Sequence, residues 1–210
     1  MPKKAIIFVD ANNWYHNVKH YFEPGEIDII KVANLICNIK SFDFVEIRWY
    51  ASVPNIQDGE SMYYKHMSFL SNLKKKGVKI ITRKLQRLSN KEILIRKKET
   101  INNLDLCDVC RPLVESVFLD LADIKKKEKG IDVWIAIDMV KESILNKTDF
   151  CVLISGDSDF VPAFSLITEI GKEVLSCFIP RGYSNELRQK FPYYILKKEE
   201  LNNCLNKKVK

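Results

Sequence analysis

The stretch Phe150-Cys151-Val152-Leu153-Ile154-Ser155-Gly156-Asp157-Ser158-Asp159 decides the fold of this 210-residue chain. Five consecutive apolar residues followed by Ser-Gly read as a strand buried on both faces that ends in a tight loop. Two carboxylates one residue apart then emerge where an open parallel sheet usually binds its ligand, beyond the carboxyl ends of its strands. A second stretch repeats the arrangement: Ala5-Ile6-Ile7-Phe8-Val9 ends in Asp10, followed by Ala11-Asn12-Asn13. If the two strands are neighbours, three carboxylates converge at one sheet edge, and a hard divalent cation is the simplest compensation for their mutual repulsion.

Working outward, strands and helices alternate. Helical patterns run from Trp14 to Phe22, from Asp28 to about Ile39, from Ser61 to Lys76, from Ile131 to Leu145 and from Phe160 to Ile170, with a short helix from Ser184 to Lys190. Strand patterns run from Phe44 to Ala51, with Val45, Ile47 and Trp49 on one parity, from Val78 to Thr82 and from Glu173 to Ile179. This alternation predicts an α/β fold, a three-layer α/β/α sandwich with a mostly parallel central sheet. Residues 83–128 break the pattern and read as an insertion. There Ile93-Leu94-Ile95 is expected as a short strand hairpin-paired near 82–88, Cys107 to Pro112 as a loop, and Leu113 to Ile124 as either strand or helix. A single domain over 1–190 and a lysine-rich, partly disordered tail over 191–210 complete the expected organisation.

Composition narrows the function. The net charge of +7 comes with lysine clusters at 74–76, 97–98, 125–127 and 207–208. Such a surface is either a set of solvated helix faces or a polyanion-binding surface that gains from counterion release. A basic protein that keeps a knot of acids matches what an enzyme handling phosphates with bound metal needs. No apolar stretch reaches membrane-spanning length, and the five-residue run after Lys3-Lys4 is too short for a signal peptide, so no membrane partner and a cytoplasmic location are expected. A homodimer is compatible with the sequence.

Each acid has a structural reading beside the functional one. Asp10 is placed to cap the next helix, and Asn13 to form a turn, to orient a water or to bind phosphate. One of Asp157 and Asp159 is a plausible cap, but two acids in one loop after a core strand exceed what capping requires. The hydroxyls of Ser155 and Ser158 are candidates to contact phosphate or to support a ligand carboxylate. Asp132 falls in the first turn of its helix and is the preferred further site acid. Asp138, six residues on, points in another direction and reads as a supporting or structural acid.

Taken together, Phe8-Val9-Asp10-Ala11-Asn12-Asn13, Lys129-Gly130-Ile131-Asp132-Val133 through Asp138-Met139, and Ser155-Gly156-Asp157-Ser158-Asp159-Phe160 resemble the NYN domain, specifically its LabA-like branch. The resemblance covers roughly residues 5–180. It implies a PIN-like fold and a ribonuclease dependent on Mg²⁺ or Mn²⁺, acting on single-stranded or structured RNA. It carries the acidic site onto Asp10, Asp132, Asp157 and Asp159, as catalytic groups and metal ligands, with Asn13 as a polar helper. An all-oxygen ligand set of this kind suits Mg²⁺ or Mn²⁺. The alternative is a catalytically silent RNA- or protein-binding regulatory domain; a phosphatase acting on small phosphoesters is disfavoured, because the Asp10 loop lacks an Asp-x-Asp nucleophile pair.

Other features are weighed in the same way. Trp14 and Tyr15, close after Asp10, are the best candidate stacking platforms for bases, and Arg181 is a candidate phosphate contact beyond the last core strand. Cys107-Asp108-Val109-Cys110 has the spacing of half a zinc knuckle, but no second pair follows, so two ordinary thiols are preferred to structural Zn²⁺. A redox role is disfavoured there, because no strand-to-helix junction is expected. Cys151 and Cys177 lie in apolar runs and are expected in the core.

Overall fold

Side chains alternate across a strand, and the residues of the first strand divide the core accordingly. Ala5, Ile7 and Val9 belong to one apolar cluster, and Ile6 and Phe8 to another on the opposite face of the sheet. The computed structural model describes residues 3–84, 86–87, 90–120, 126–127, 130–180 and 182–206. The chain divides into two compact units, Met1–Lys84 with Gly130–Lys210, and Leu85–Lys129.

The first unit begins with β1 (Lys4–Asp10), α1 (Ala11–Val18), α2 (Ile29–Lys40), β2 (Asp43–Val53), α3 (Glu60–Lys75) and β3 (Lys79–Lys84). The second holds β4 (Gln86–Arg87), α4 (Asn90–Asn102), α5 (Cys110–Asp120) and β5 (Lys126–Lys127). The first then resumes with α6 (Ile131–Ile144), β6 (Phe150–Ile154), α7 (Val161–Glu169), β7 (Glu173–Phe178), α8 (Asn185–Lys190), β8 (Tyr193–Ile195) and α9 (Lys198–Asn203).

Six strands form one sheet in the order β3-β2-β1-β6-β7-β8, and every neighbouring pair is parallel. Helices α1, α2, α3 and α9 pack on the face of Ile7 and Val9, through residues such as Val18, Val32, Ile36, Leu70 and Leu201. Helices α6, α7 and α8 pack on the face of Ile6 and Phe8, through Ile135, Met139, Phe164 and Leu187. This is the expected three-layer sandwich. The strand order reverses between β1 and β6, so the connections leave those two strands in opposite directions and open a crevice at their carboxyl ends. Among the described residues no helix is long and apolar enough to cross a membrane.

Three expectations are revised. Residues 93–95 lie inside α4, not in a strand; Lys91, Glu92, Leu94, Arg96 and Lys98 are strong helix formers and outweigh a three-residue apolar run. β4 pairs instead with β5, antiparallel. Helix α5 starts at Cys110, within the expected loop, and resolves the ambiguity over 113–120 as helix; 121–124 lie outside the described residues. Finally, residues assigned to a tail supply the edge strand β8, in register with Ser176, Cys177 and Phe178, and helix α9. Leu196 and Leu201 of this stretch are fully buried, while Lys207, Lys208 and Lys210 lie outside the described residues.

One polar knot is embedded in the α6 face. Arg48 of β2 is 3% exposed and donates from Nη1 to Glu142 Oε1 at 3.1 Å. It also pairs with Glu46, lies 3.7 Å from Asp138 Oδ2 and stands over the Phe8 ring. The Tyr50 hydroxyl donates to the same Asp138 oxygen at 2.7 Å. Asp138 and Glu142 are four residues apart on α6 and thus share a face. Asp138 is therefore a structural acid that ties α6 to β2. Burial by itself would raise the Glu142 carboxyl, but the Arg48 hydrogen bond and charge, with Lys147, outweigh it and hold that carboxyl below its ordinary range. At the margin of the same unit, the Arg83 guanidinium lies 4.9 Å from the centre of the Trp134 ring and abuts Gly130.

Removing one partner of a buried ion pair costs far more than the pair contributes net. Arg48→Met should lower unfolding free energy at neutral pH by about 3 kcal/mol, read from urea denaturation. The pH response should also invert. In the native protein the depressed Glu142 contributes stability that persists above the ordinary glutamate range and is lost only as pH falls below it. In the variant a stranded Glu142 carboxyl titrates upward, so stability should rise as pH is lowered from 7 towards 5. An unchanged denaturation midpoint at neutral pH would show that the knot carries no such load.

Candidate active site

The site starts from the two strand ends that flank the crevice. Asp10 closes β1 with an extended backbone and caps α1, its Oδ1 accepting from the amides of Asn12 and Asn13, each at 3.1 Å. It is only 3% exposed. Its second oxygen, Oδ2, accepts from the Ser155 hydroxyl across the β1–β6 boundary at 3.1 Å. Ser155 Oγ accepts in turn from the Asp157 amide at 3.3 Å, and Asp157 Oδ1 from the Asp159 amide at 3.1 Å. One continuous chain of hydrogen bonds thus runs from the start of α1, through Asp10 and Ser155, into the loop that carries Asp157 and Asp159.

A second link ties together the loops that follow β1 and β6. Asn13 Oδ1 accepts from Asn17 Nδ2 at 3.0 Å and from the Gly156 amide at 3.4 Å. The Ser184 amide donates to the Gly156 carbonyl at 2.7 Å. A Cβ on Gly156 would overlap the Gly182 carbonyl and Tyr183, and one on Gly182 would overlap the Asn17 amide. Gly156 is required here because the loops after β6 and β7 touch backbone to backbone, whereas Gly182 makes room for the Asn17 side chain.

Beside this junction lies a cleft of about 580 Å³, lined among others by Gly130, Asp132, Ser158, Asp159 and Glu186. Asp132 reaches it from the first turn of α6, Asp159 from the 3₁₀ turn after β6, and Glu186 from the first turn of α8. Glu186 also pairs with Lys190 at 2.8 Å. The structure therefore groups the predicted acids in two linked sets: Asp10 with Asp157 through Ser155, and Asp132 with Asp159 across the cleft. Among the described residues, no group of three or more His, Cys, Asp or Glu side chains could by itself hold a metal ion. Asp157 and Ser158 are half-buried and Asp159 is exposed, so the loop acids meet solvent while Asp10 does not.

Individual assignments shift accordingly. Ser155 is fully buried and works as the link between two acids, in keeping with a hydroxyl that supports a carboxylate rather than one that meets substrate. Ser158 lines the cleft. Asn13 turns its carbonyl oxygen to the Gly156 amide. Trp14 is not a stacking platform: it is 3% exposed, in the apolar layer with Val18 and Val32, whereas Tyr15 is 54% exposed. On a helix that lies along the sheet, residue 14 faces inward and residue 15 outward. Arg181 lies outside the described residues. Gly182 and Glu186 belong to the segment Arg181 to Leu187, whose place after the last core strand suits it to face the site edge, although only Arg181 stands out there as a candidate contact. Asn17 escaped the sequence reading; its signal is its position four residues after Asn13 on a helix.

The family model for the NYN domain matches residues 4–198, nearly the whole chain. No curated protein matches it.

Because Asp10 satisfies three buried or partly buried donors, its carbonyl-type oxygens matter to stability apart from its charge. Asp10→Ala should cost about 2–3 kcal/mol, the sum of a lost cap and an orphaned hydroxyl. Asp10→Asn, which keeps an acceptor for the α1 amides, should stay within about 1 kcal/mol of the native protein. Paired thermal or urea unfolding curves give the comparison; equal losses for the two variants would contradict this role.

Proposed function

Since the chain belongs to the NYN domain family, a PIN-like nuclease-superfamily domain, we propose that it hydrolyses RNA phosphodiester bonds with the help of a divalent cation. The observation that carries the proposal is the hydrogen-bond chain from Asp10 through Ser155 to Asp157, built at the reversal of strand order beside a cleft lined by Asp132, Asp159 and Glu186.

The donor set supports a hard cation. Among the described residues, the ionisable side chains that line the cleft are the carboxylates Asp132, Asp159 and Glu186, and oxygen donors suit Mg²⁺ or Mn²⁺. Mg²⁺ is usually held by one or two carboxylates together with waters and substrate phosphate, so a complete protein cage is not required. Asp157 and Asp159, in the solvent-facing loop, would hold it, with Asp10 and Asp132 as the flanking acids and Glu186 as a further candidate. The chemistry such an ion supplies is Lewis-acid polarisation of a phosphoryl oxygen and acidification of water.

The residues of the chain do the positioning. Asp10 is immobilised by its own hydrogen bonds, and Ser155 transmits that rigidity to the Asp157 loop. Preorganised charge of this kind needs no rearrangement when the reaction occurs. Acids alone would repel a phosphodiester, and the net charge of +7 distributed in lysine clusters offsets that at longer range. Single-stranded segments, whose backbone is accessible and flexible, are the substrate class that an open cleft at a sheet edge accommodates. A reducing cytoplasmic setting agrees with the free thiols.

The test is incubation of purified protein with labelled single-stranded RNA in Mn²⁺, Mg²⁺ or chelator. Cleavage should require the cation. Asp157→Asn should lower the rate by about 100-fold or more, because metal-assisted charge stabilisation is worth several kcal/mol and about 1.4 kcal/mol is tenfold. RNA affinity should hold or rise, since a negative charge has been removed. Wild-type turnover by the variant would refute the site. Salt-sensitive RNA binding with no cleavage under any cation would identify a silent binding domain instead.

A further inference from the structure

The unit Leu85–Lys129 carries chemistry that a nuclease does not use. Its chain turns at Asp108-Val109, and Cys110 opens α5. Cys107 sits just outside the helix and closes this turn. Its carbonyl accepts from the amides of Cys110 at 3.1 Å and Arg111 at 3.0 Å. Its Sγ accepts from the Cys110 amide at 3.4 Å. The sulfur thus occupies the place where a capping Ser or Asp normally puts an oxygen. Both cysteines are exposed.

This environment differentiates the pair. The Cys110 amide, followed by the Cys110 thiol and the Val109 amide, holds the Cys107 thiol below its ordinary range. Cys110, which donates to Cys107, is raised. The other four thiols are buried. Burial pushes Cys37 and Cys151 each up to about 11, and Cys177 and Cys204 upward as well. The amide that Cys107 Sγ accepts from therefore favours its thiolate, and a second exposed thiol stands three residues on. A zinc site needs further soft ligands, and among the described residues no third His, Cys or carboxylate joins the pair.

We propose that Cys107 and Cys110 form a redox-active dithiol that exchanges with small disulfides, Cys107 attacking and Cys110 resolving. In the first step the Cys107 thiolate attacks one sulfur of the disulfide. A mixed disulfide forms, and the other half leaves as a thiolate that takes up a proton from water. In the second step the deprotonated Cys110 sulfur attacks Cys107 Sγ and expels the second thiol. The pair loses two protons and two electrons and becomes an intramolecular disulfide, while the small disulfide becomes two thiols. The helix that begins at Cys110 shortens the expected loop; the redox role, disfavoured on the sequence, is proposed here on the placement of the pair.

The full chain, reduced and then exposed to oxidised glutathione, gives the test by intact mass and peptide mapping. The expected product is a Cys107–Cys110 disulfide, lighter by two hydrogens, with the other four thiols still free. Cys110→Ser should trap a glutathione adduct on Cys107, and Cys107→Ser should form none at a comparable rate. Iodoacetamide labelling at neutral pH should modify Cys107 at least about tenfold faster than any other thiol. Its rate should rise to a plateau at lower pH than that of Cys110. Equal labelling of the two cysteines, absence of an adduct in Cys110→Ser, or stoichiometric protection of both by added Zn²⁺ would each overturn the proposal.

Discussion

The carboxylate of Asp10 is the group on which the arrangement turns. A buried charge must be fully hydrogen-bonded to be tolerated, and the two oxygens of Asp10 meet that demand from different elements. Oδ1 takes the first amides of α1, and Oδ2 takes the hydroxyl that follows β6. A single side chain thereby sets where α1 leaves the sheet and how the neighbouring strand end approaches it. It does so at the boundary where the order of strands reverses, the one place in such a sheet where connections diverge and leave room for a ligand. Capping and site-building are here one interaction, so the structural and functional readings of Asp10 do not compete.

The central strands were legible because nothing about them is ambiguous. β1 and β6 are buried on both faces, so their sequences are unbroken apolar runs, and an acid at the end of each stands out. The helix start expected at Asp28 is where Asp28 caps α2, and the helix expected to end at Ile170 is followed by Gly171 in the left-handed region. Arg48 was not. The alternation of Val45, Ile47 and Trp49 implied that its parity faced solvent, yet β2 is buried on both faces from Ile47 to Ala51. Its partner Glu142 lies 94 residues away, and no local pattern reports a pairing over that distance. Trp14 failed for a related reason: closeness to Asp10 in sequence says nothing of which side of a helix a residue occupies.

Within the site, the acids that announced themselves were those attached to strand ends. Glu186 belongs to a short, mostly exposed helix with no such marker and joins the cleft only because α8 follows the sheet's next connection. The glycines at 156 and 182 are explained only in three dimensions, where each makes space for the other loop or for Asn17. The edge strand β8 was hidden by lysines on either side of Tyr193, Tyr194 and Ile195, a composition suited to an edge that must not recruit further strands.

The contact of Arg83 with Trp134 and Gly130 bears on the length of chain the larger unit can carry between them. The polypeptide departs from the larger unit at Lys84 and rejoins it at Gly130, and this cation–aromatic clasp draws the two ends of the gap together. The entropy of bridging such a gap grows only with the logarithm of the number of residues spanned. A change in the length of what lies between therefore adds little to the entropy cost of closing the gap.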